Sequence, residues 1–402
     1  MRIHRKLPSW AHHEVVKLIF AAAAELGGEA RIVGGAVRDW HANRAVGDID
    51  MAVNMPIQLM AEKLCETQKL TVINTGLAHG TISVVKGGQS VDLTQTRSDV
   101  VTDGRHALVQ FQDDWADDAN RRDFTINAMY LDAEGQVFDP LGGQVDLALR
   151  RLRFVGRAAD RVQEDALRML RYCRFCIEYS GGEHDQEAVL ALRDFAPIAA
   201  DLSGERVAQE LRRILSNENC AVAVHLLHKT GLDRSILGVS LDLASLPSRP
   251  ENMRLVIADY GWLILLAAVT PQPDLAGVLR RLRLSRADQK FCLEVAGLSN
   301  ERVFAVLSAS RWQQIAYFMN GHAAAIYACA AWRCGDEFAS DHYQQLRQWQ
   351  APVFPLSGAD LLSHGVDKGR AVGQMLEEAK RLWVLSDFIL NKTALLDAVV
   401  NR

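Results

Sequence analysis

Ile32-Val33-Gly34-Gly35-Ala36-Val37-Arg38-Asp39, followed by Gly47-Asp48-Ile49-Asp50-Met51-Ala52, is the stretch on which the fold turns. An apolar run enters a glycine pair, a basic residue follows, and two carboxylates then stand two positions apart between apolar residues. Glycine tolerates positive φ and lets backbone N–H groups approach a phosphate closely. In an extended strand, residues two apart share a face. Asp48 and Asp50 therefore project together while Ile49 and Met51 turn to the core. Paired carboxylates repel one another unless a cation sits between them, and an oxygen-only ligand set suits Mg²⁺. Taken singly, a Gly-Gly is usually a turn and an Asp-x-Asp usually a solvated strand end. In this order and at this separation they read as a phosphate cradle beside a Mg²⁺ site, the equipment of phosphoryl or nucleotidyl transfer.

Gly34-Gly35-Ala36-Val37-Arg38-Asp39 with Asp48-Ile49-Asp50 resembles the signature of the class II tRNA nucleotidyltransferases. That family comprises the CCA-adding enzymes and the bacterial poly(A) polymerases. The resemblance implies a polymerase-beta-like nucleotidyltransferase head.

At 402 residues the chain has room for two or three domains and a sizeable core. Hydrophobic residues at 49% and charged residues at 23% are those of a soluble globular protein. The net charge of −4 lacks the basic excess of many nucleic-acid binders, so an RNA-binding groove here is offset by acidic surface elsewhere. Seven cysteines are scattered along the chain, and Cys173-Arg174-Phe175-Cys176 sits in a helical pattern without a second pair. They read as reduced, mostly buried thiols of a cytoplasmic protein. Arg2, Arg5 and Lys6 ahead of Leu18-Ile19-Phe20 imitate a secretory leader, but His12, His13, Glu14 and Lys17 interrupt the apolar run. An amphipathic first helix is the better reading. The segment from Leu255 to Val269 is apolar but short and carries Asp259, so it reads as a buried helix and not a membrane span.

Up to about residue 150 the pattern is mixed. Helices are expected over His12–Leu26 and Pro56–Thr67. Strands are expected at Ala30–Val33, Asp48–Val53, Leu70–Asn74, Gly80–Val85, Ser90–Leu93 and Ala128–Leu131. Beyond about residue 160 a 3.6-residue period dominates, as in Glu164–Tyr179, Glu205–Leu215 and Arg302–Leu307, with proline-bearing breaks at Leu246–Arg249 and Ala351–Leu356. The fold class expected is α+β: a mixed sheet with helices forming a head over 1–150, then an all-α neck over 151–220, and a helical body and tail over 221–402, to which the resemblance assigns tRNA binding.

Three further strings carry the resemblance. Arg121-Arg122-Asp123-Phe124-Thr125-Ile126-Asn127-Ala128 reads as a helix N-terminus preceded by basic residues, or as a guanidinium aimed at a triphosphate. An arginine fork donates to two phosphate oxygens at once. The string also resembles the family's second motif, which assigns phosphate contact to Arg122 first. Asp139-Pro140-Leu141-Gly142-Gly143 through Gly156 reads as a turn and a short strand, and resembles the hinge between head and neck. Glu164-Asp165-Ala166-Leu167-Arg168-Met169-Leu170-Arg171-Tyr172-Cys173-Arg174-Phe175 reads as a helix with an Asp165/Arg168 i,i+3 ion pair. It resembles the family's Glu-Asp-x-x-Arg element, which reads the incoming base with protein side chains. Cytosine and adenine both offer an amino donor beside a ring-nitrogen acceptor. A carboxylate (Asp165) and a guanidinium (Arg168) match that pair, whereas uracil and guanine reverse it. Arg171 and Arg174 then contact the triphosphate or hold Asp165 and Arg168 in place.

The polar stretch from Thr94 to His106 reads as a surface loop. It resembles the family's flexible loop that switches from CTP to ATP, and makes Arg97, Asp103 and Arg105 its charged levers. The cluster Arg280-Arg281-Leu282-Arg283-Leu284-Ser285-Arg286 suits RNA backbone or a solvated helix face equally. The function implied is template-independent addition of C, C and A to the tRNA 3′ end from CTP and ATP, releasing pyrophosphate by two-metal transfer. In it Asp48 and Asp50 hold Mg²⁺, Gly35, Arg38 and Arg122 cradle phosphates, and Asp165 and Arg168 select the base. The alternatives within the family are CC-only or A-only addition and poly(A) synthesis. The Gly-(Arg/Lys)-Arg-Phe-like string of poly(A) polymerases is absent, with Gly76-Leu77-Ala78-His79-Gly80-Thr81 in its place. An inactive RNA- or nucleotide-binding protein is opposed by the intact carboxylate pair. No membrane association and no obligate protein partner is expected.

Overall fold

The computed structural model describes residues 7–66, 70–76, 80–102, 107–111, 114–246, 250–319, 321–334 and 339–400. The chain divides into two compact units, Met1–Ser240 and Leu241–Arg402.

The first unit begins with helix α1 (Glu14–Glu25), strand β1 (Ala30–Val33), helix α2 (Gly35–His41), strand β2 (Ile49–Val53) and helix α3 (Ile57–Cys65). Strands β3 (Thr71–Gly76), β4 (Thr81–Lys86) and β5 (Gln89–Gln95) follow, then a hairpin of β6 (Arg97–Thr102) and β7 (Ala107–Phe111). Helix α4 (Trp115–Asn120), short strands β8 (Tyr130–Leu131) and β9 (Val137–Phe138), and helix α5 (Gly143–Ala148) complete the head. Its seven-stranded sheet has the order β3-β4-β5-β2-β1-β8-β9. Every pairing is antiparallel except β2 with β5, which run parallel.

The period-two alternation places the carboxylates. Ile49, Met51 and Val53 pack with Val15, Ile19, Ile57, Met60 and Leu64 of the flanking helices α1 and α3. Ala52 belongs to a smaller core on the opposite face with Val33, Trp115, Ala119 and Tyr130. Asp50 has the parity of Ala52, so it faces α4 and Tyr130. A register slip of one residue would bury Asp50 against α1.

The neck follows as α6 (Ala158–Glu164), α7 (Leu167–Phe175), α8 (Gln186–Phe195), α9 (Gly204–Leu215), α10 (Cys220–Thr230) and α11 (Leu232–Leu237). An aromatic cluster ties it to the head. Phe124 and Phe154 form an isolated β-bridge, Phe154 stacks on Tyr172 at 5.4 Å between centroids, and Phe124 meets Phe175 edge-on at 5.2 Å. Phe124 and Tyr172 are fully buried.

Four expectations need correction. Thr94–His106 is not a plain loop: β6 and β7 pair across it, with Asp103 and Arg105 outside the described residues. The string from Asp139 through Gly156 is a turn followed by helix α5, and its expected strand shrinks to the Phe124–Phe154 bridge. The continuous helix Glu164–Tyr179 breaks at Asp165, whose φ of −150° is extended, and it widens into one π-helical stretch, Cys176–Ser180, ended by Gly181 at φ 67°. The segment Leu255–Val269 is two helices, Pro250–Tyr260 and Trp262–Val269, separated by Gly261 at φ 68°.

Every regular element of the second unit among its described residues is a helix. The alanine-rich helix Ala323–Cys334 is buried from Ala323 to Trp332, and its small side chains let Trp262–Val269 and Arg286–Leu298 approach closely. Arg333 donates through Nη2 to the carbonyls of Ala267 (2.6 Å) and Thr270 (3.1 Å), satisfying the end of Trp262–Val269. Nearer the C-terminus a capping box, Ser357 with Asp360, starts Gly358–Ser363 over a core of Leu361, Trp383, Val384 and Leu395. No helix among the described residues is long and apolar enough to cross a membrane.

Candidate active site

The parallel pairing of β2 with β5 puts Asp50 in register with Asp92, and Asp48 immediately precedes β2. Asp48, Asp50 and Asp92 are all exposed. Asp92 is steadied by the Ser83 hydroxyl, which donates to Oδ1 at 2.5 Å. Enclosure by surrounding protein raises the Asp50 pKa above the ordinary carboxylate range. Asp92 and Asp48 push the same way, and the Arg122 guanidinium opposes them. Among the described residues no three His, Cys, Asp or Glu side chains close into a metal cage. An open carboxylate pair is nonetheless what Mg²⁺ uses when phosphate oxygens and water complete its octahedron.

Gly34 stands beside them at φ 71°, a conformation that L side chains rarely adopt, and its N–H donates to Met129 O at 3.2 Å. A Cβ there would lie 3.5 Å from Arg122 Nη1, which marks how closely that guanidinium approaches the glycine turn. Arg122 is aimed by two partners. Its Nη2 donates to Asp118 Oδ2 (2.9 Å), and its Nε donates to the Tyr130 hydroxyl (3.0 Å). Tyr130 in turn donates to Asp118 (2.7 Å), and Arg121 grips the other Asp118 oxygen through Nε (2.8 Å). Asp118 is 0% exposed. Burial alone would raise its pKa, but the Arg122 and Arg121 guanidiniums and the Tyr130 hydroxyl outweigh that and hold it at about 2. Tyr130→Phe removes one neutral donor from this knot, and we expect a loss of about 1–1.5 kcal/mol in chemical denaturation with the fold retained.

The string Arg121–Asp123 also meets the neck. Arg168 Nη2 donates to the Arg121 carbonyl (3.1 Å). Arg171 holds Asp123 through Nε (2.7 Å) and Nη2 (2.6 Å), while Asn127 donates to the other Asp123 oxygen (2.9 Å). One short segment thus carries the guanidinium near Asp50 and fastens the helix that bears Arg168.

Three comparisons bear on what this arrangement belongs to. Residues 30–153 match the family described as "Poly A polymerase head domain", and residues 184–237 match "Probable RNA and SrmB- binding site of polymerase A". Over 377 residues the chain is 32% identical to the mitochondrial CCA tRNA nucleotidyltransferase 1 of Mus musculus, spanning 92% of this chain and 86% of that relative. This chain belongs to the CCA tRNA nucleotidyltransferase family. The CCA-adding enzyme of Geobacillus kaustophilus is 31% identical over 354 residues, with 87% of this chain and 85% of the relative aligned. The crystal structure of the Bacillus stearothermophilus CCA-adding enzyme in complex with CTP superposes with a TM-score of 0.73 at 25% identity, covering 92% of each chain.

Within this nucleotidyltransferase the expected i,i+3 pair of Asp165 with Arg168 does not form. Because Asp165 lies extended between two helices, its Oδ1 accepts from Leu167 N (3.0 Å) at the start of α7 and its Oδ2 accepts from Arg206 Nη2 (2.8 Å). Arg168 turns instead to Glu164 Oε2 (2.5 Å) and to the Arg161 carbonyl (3.2 Å). The two residues are separately anchored, and each retains hydrogen-bonding capacity. Arg174, expected to contact the triphosphate or to hold Asp165 and Arg168, bonds to neither of those two residues. It is 6% exposed and is held by Glu210 (2.8 Å) and Glu178 (3.1 Å), which makes it a brace inside the neck. Arg38 is 9% exposed, bound to Asp39 (3.0 Å) and Asn127 (2.6 Å) and lying over the Tyr179 ring at 4.5 Å.

Asp92 was missed in the sequence. Val91-Asp92-Leu93 repeats the apolar–Asp–apolar pattern of Ile49-Asp50-Met51 and was legible as a third inward carboxylate. Asp118 was legible as the i,i+3 and i,i+4 partner of Arg121 and Arg122, whereas Arg206 carried no local signal, because its partner Asp165 lies far away in the sequence.

Proposed function

We propose that Asp48 and Asp50, with Asp92 behind them, form the reaction centre of an enzyme that adds C, C and A in turn to the 3′ end of tRNA from CTP and ATP. In this reading the enzyme needs no nucleic-acid template, because protein side chains read the incoming base. One observation carries the assignment of residues: the segment Arg121–Asp123 binds the Asp118 knot beside the carboxylates and also the neck helix that bears Arg168 and Arg171.

The head residues prepare the phosphate side. Gly35 offers backbone at the start of α2, and Arg122 presents a fixed fork between the glycine turn and Asp50. Arg38, Arg171 and Arg174 hold these surfaces in place through Asp39, Asp123 and Glu210. Asp48 and Asp50 are the residues to hold Mg²⁺, which when bound lowers the pKa of the attacking hydroxyl and neutralises the triphosphate. Asp165 accepts from the exocyclic amino group of cytosine or adenine, and Arg168 donates to the neighbouring ring nitrogen. Arg206 keeps the Asp165 carboxylate oriented, and Glu164 does the same for Arg168. Uracil or guanine would set a donor against Arg168 and an acceptor against Asp165, leaving both charges unmatched.

Arg168→Gln and Asp165→Asn test this directly. We expect discrimination of CTP over UTP, measured as a ratio of kcat/KM, to fall by about 10²-fold, roughly the value of two hydrogen bonds to charged groups. Unchanged discrimination in both variants contradicts base reading by this pair.

The three-part division into head (1–150), neck (151–220), and body and tail (221–402) is the organisation we propose for these roles, with the last part gripping tRNA. The cytoplasm is the proposed compartment. All seven cysteines are free thiols, five of them buried, which fits a reducing environment.

A further inference from the structure

A second cavity in the first unit, of about 620 Å³, is lined by none of the three carboxylates. Its wall is assembled from four places. Asn43 and Arg44 follow α2, and Gln144 and Arg150 come from α5 and its end. Tyr179 comes from the π-helical stretch, and Asn219 stands at the N-cap of α10.

Several features here are of the kind that folds retain at binding sites. Asn43 (φ 54°) and Arg150 (φ 53°) are two of the five non-glycine residues with positive φ among those described, and both line this one cavity. The π-helical stretch is the uncommon helix type that recurs at functional sites. The electrostatics are one-sided. Arg44 donates through Nη1 to the Glu178 carbonyl (2.8 Å) and lies over the Tyr179 ring at 4.9 Å. Arg150 leans over Gly181, with Nη1 3.7 Å from where a Cβ would stand. Neither guanidinium meets a carboxylate in an ion pair among the described residues, and both are exposed. The carboxylate in the wall, Glu178, is already matched by Arg174 at 3.1 Å. The α10 N-terminus adds its positive end, and Asn219 makes no side-chain cap there.

We propose that this cavity binds a phosphate group between Arg44 and Arg150, supplied by the RNA chain or by a free nucleotide. Two rigid forks with oriented N–H groups suit a tetrahedral oxyanion. Asn219 lies inside the segment that matches an RNA-binding region, which brings RNA within reach. The bound phosphate would tie the end of α2 to the neck. From there Tyr179 donates to Asp39, which holds Arg38, and the chain runs from Arg44 directly to Asp48.

The test reads binding without catalysis, so it stands or falls apart from the reaction proposed above. The affinity of the full chain for a tRNA transcript lacking its CCA end is measured across a NaCl series, for wild type and Arg44→Gln/Arg150→Gln. If the phosphate is the RNA's, the double variant binds about tenfold more weakly at low salt, and the slope of log Kd against log salt falls by about 1–2. Arg44→Lys/Arg150→Lys restores most of that slope. If the phosphate is a nucleotide's, calorimetric titration with ATP gives two sites per chain in wild type and one in the Gln variant, with the RNA slope unchanged. An unchanged slope together with a single ATP site in both proteins overturns the proposal. Thermal melting of each variant confirms that it folds, and Arg44→Gln alone, expected to lower the slope by about 1, serves if the double variant does not.

Discussion

Asp50→Asn is expected to lower single-turnover nucleotide incorporation by about 10³-fold, a loss of about 4 kcal/mol in transition-state stabilisation. The amide keeps the shape of the side chain but not the charge that a divalent cation requires. Asp48→Asn is expected to match it, because the proposed Mg²⁺ site uses both carboxylates. The stability effect has the opposite sign. Asp50 sits among Asp48 and Asp92 with its pKa raised by enclosure and by their charges. Removing one negative charge without a cation present relieves that repulsion, so the thermal midpoint of the variant holds or rises. A variant that loses activity together with stability would mean that Asp50 is structural. Retained incorporation would mean that the reaction centre lies elsewhere.

Asp118→Ala is the second large effect, and it falls on stability. Asp118 is fully buried and matched by Arg121 (2.6 Å), Arg122 (2.9 Å) and Tyr130 (2.7 Å). Deleting it leaves two half-buried guanidiniums without their shared carboxylate, which costs about 3–5 kcal/mol. For a folding unit of this size that is a fall in melting temperature of roughly 10 °C. The pH dependence follows from the same partners. The folded carboxyl is held at about 2, below its ordinary value near 3.8, so its contribution is complete at neutral pH. It fades as the pH falls from about 4 to about 2, and Asp118→Ala should lose this part of the acid sensitivity. Acid unfolding curves of the two proteins that differ only by a constant offset would contradict the assignment.

The head was legible because its signals are local. Alternation across Ile49–Val53 settled which face carries Asp50, and the apolar runs of α1 and α3 announced the helices that cover the other face. Residues that depend on distant partners were less legible. Asp165 reads in the sequence as one residue of a helix, and only the packing of α9, which brings Arg206 to it, shows why the chain is extended there. Arg174 reads as one more arginine in a regular series. What removes it to the interior is Glu210, on another helix. The β6–β7 hairpin escaped for a different reason. Its first strand, Arg97–Thr102, mixes polar residues with Val100 and Val101 and shows no clean alternation, and cross-strand pairing with the apolar run Ala107–Phe111, not local propensity, makes it a strand. Asp92 is the one omission that the sequence itself could have prevented.

The most direct measurement is extension of three tRNA transcripts, ending at the discriminator base, at C and at CC, with each nucleoside triphosphate offered separately. Growth to CCA using CTP and ATP alone, with UTP and GTP refused at every step, is the expected result. Arrest at CC, addition of A only, or long A tails would move the chain to another activity of the same family. Failure to extend any transcript in the presence of Mg²⁺ would contradict the reaction assigned to Asp48 and Asp50.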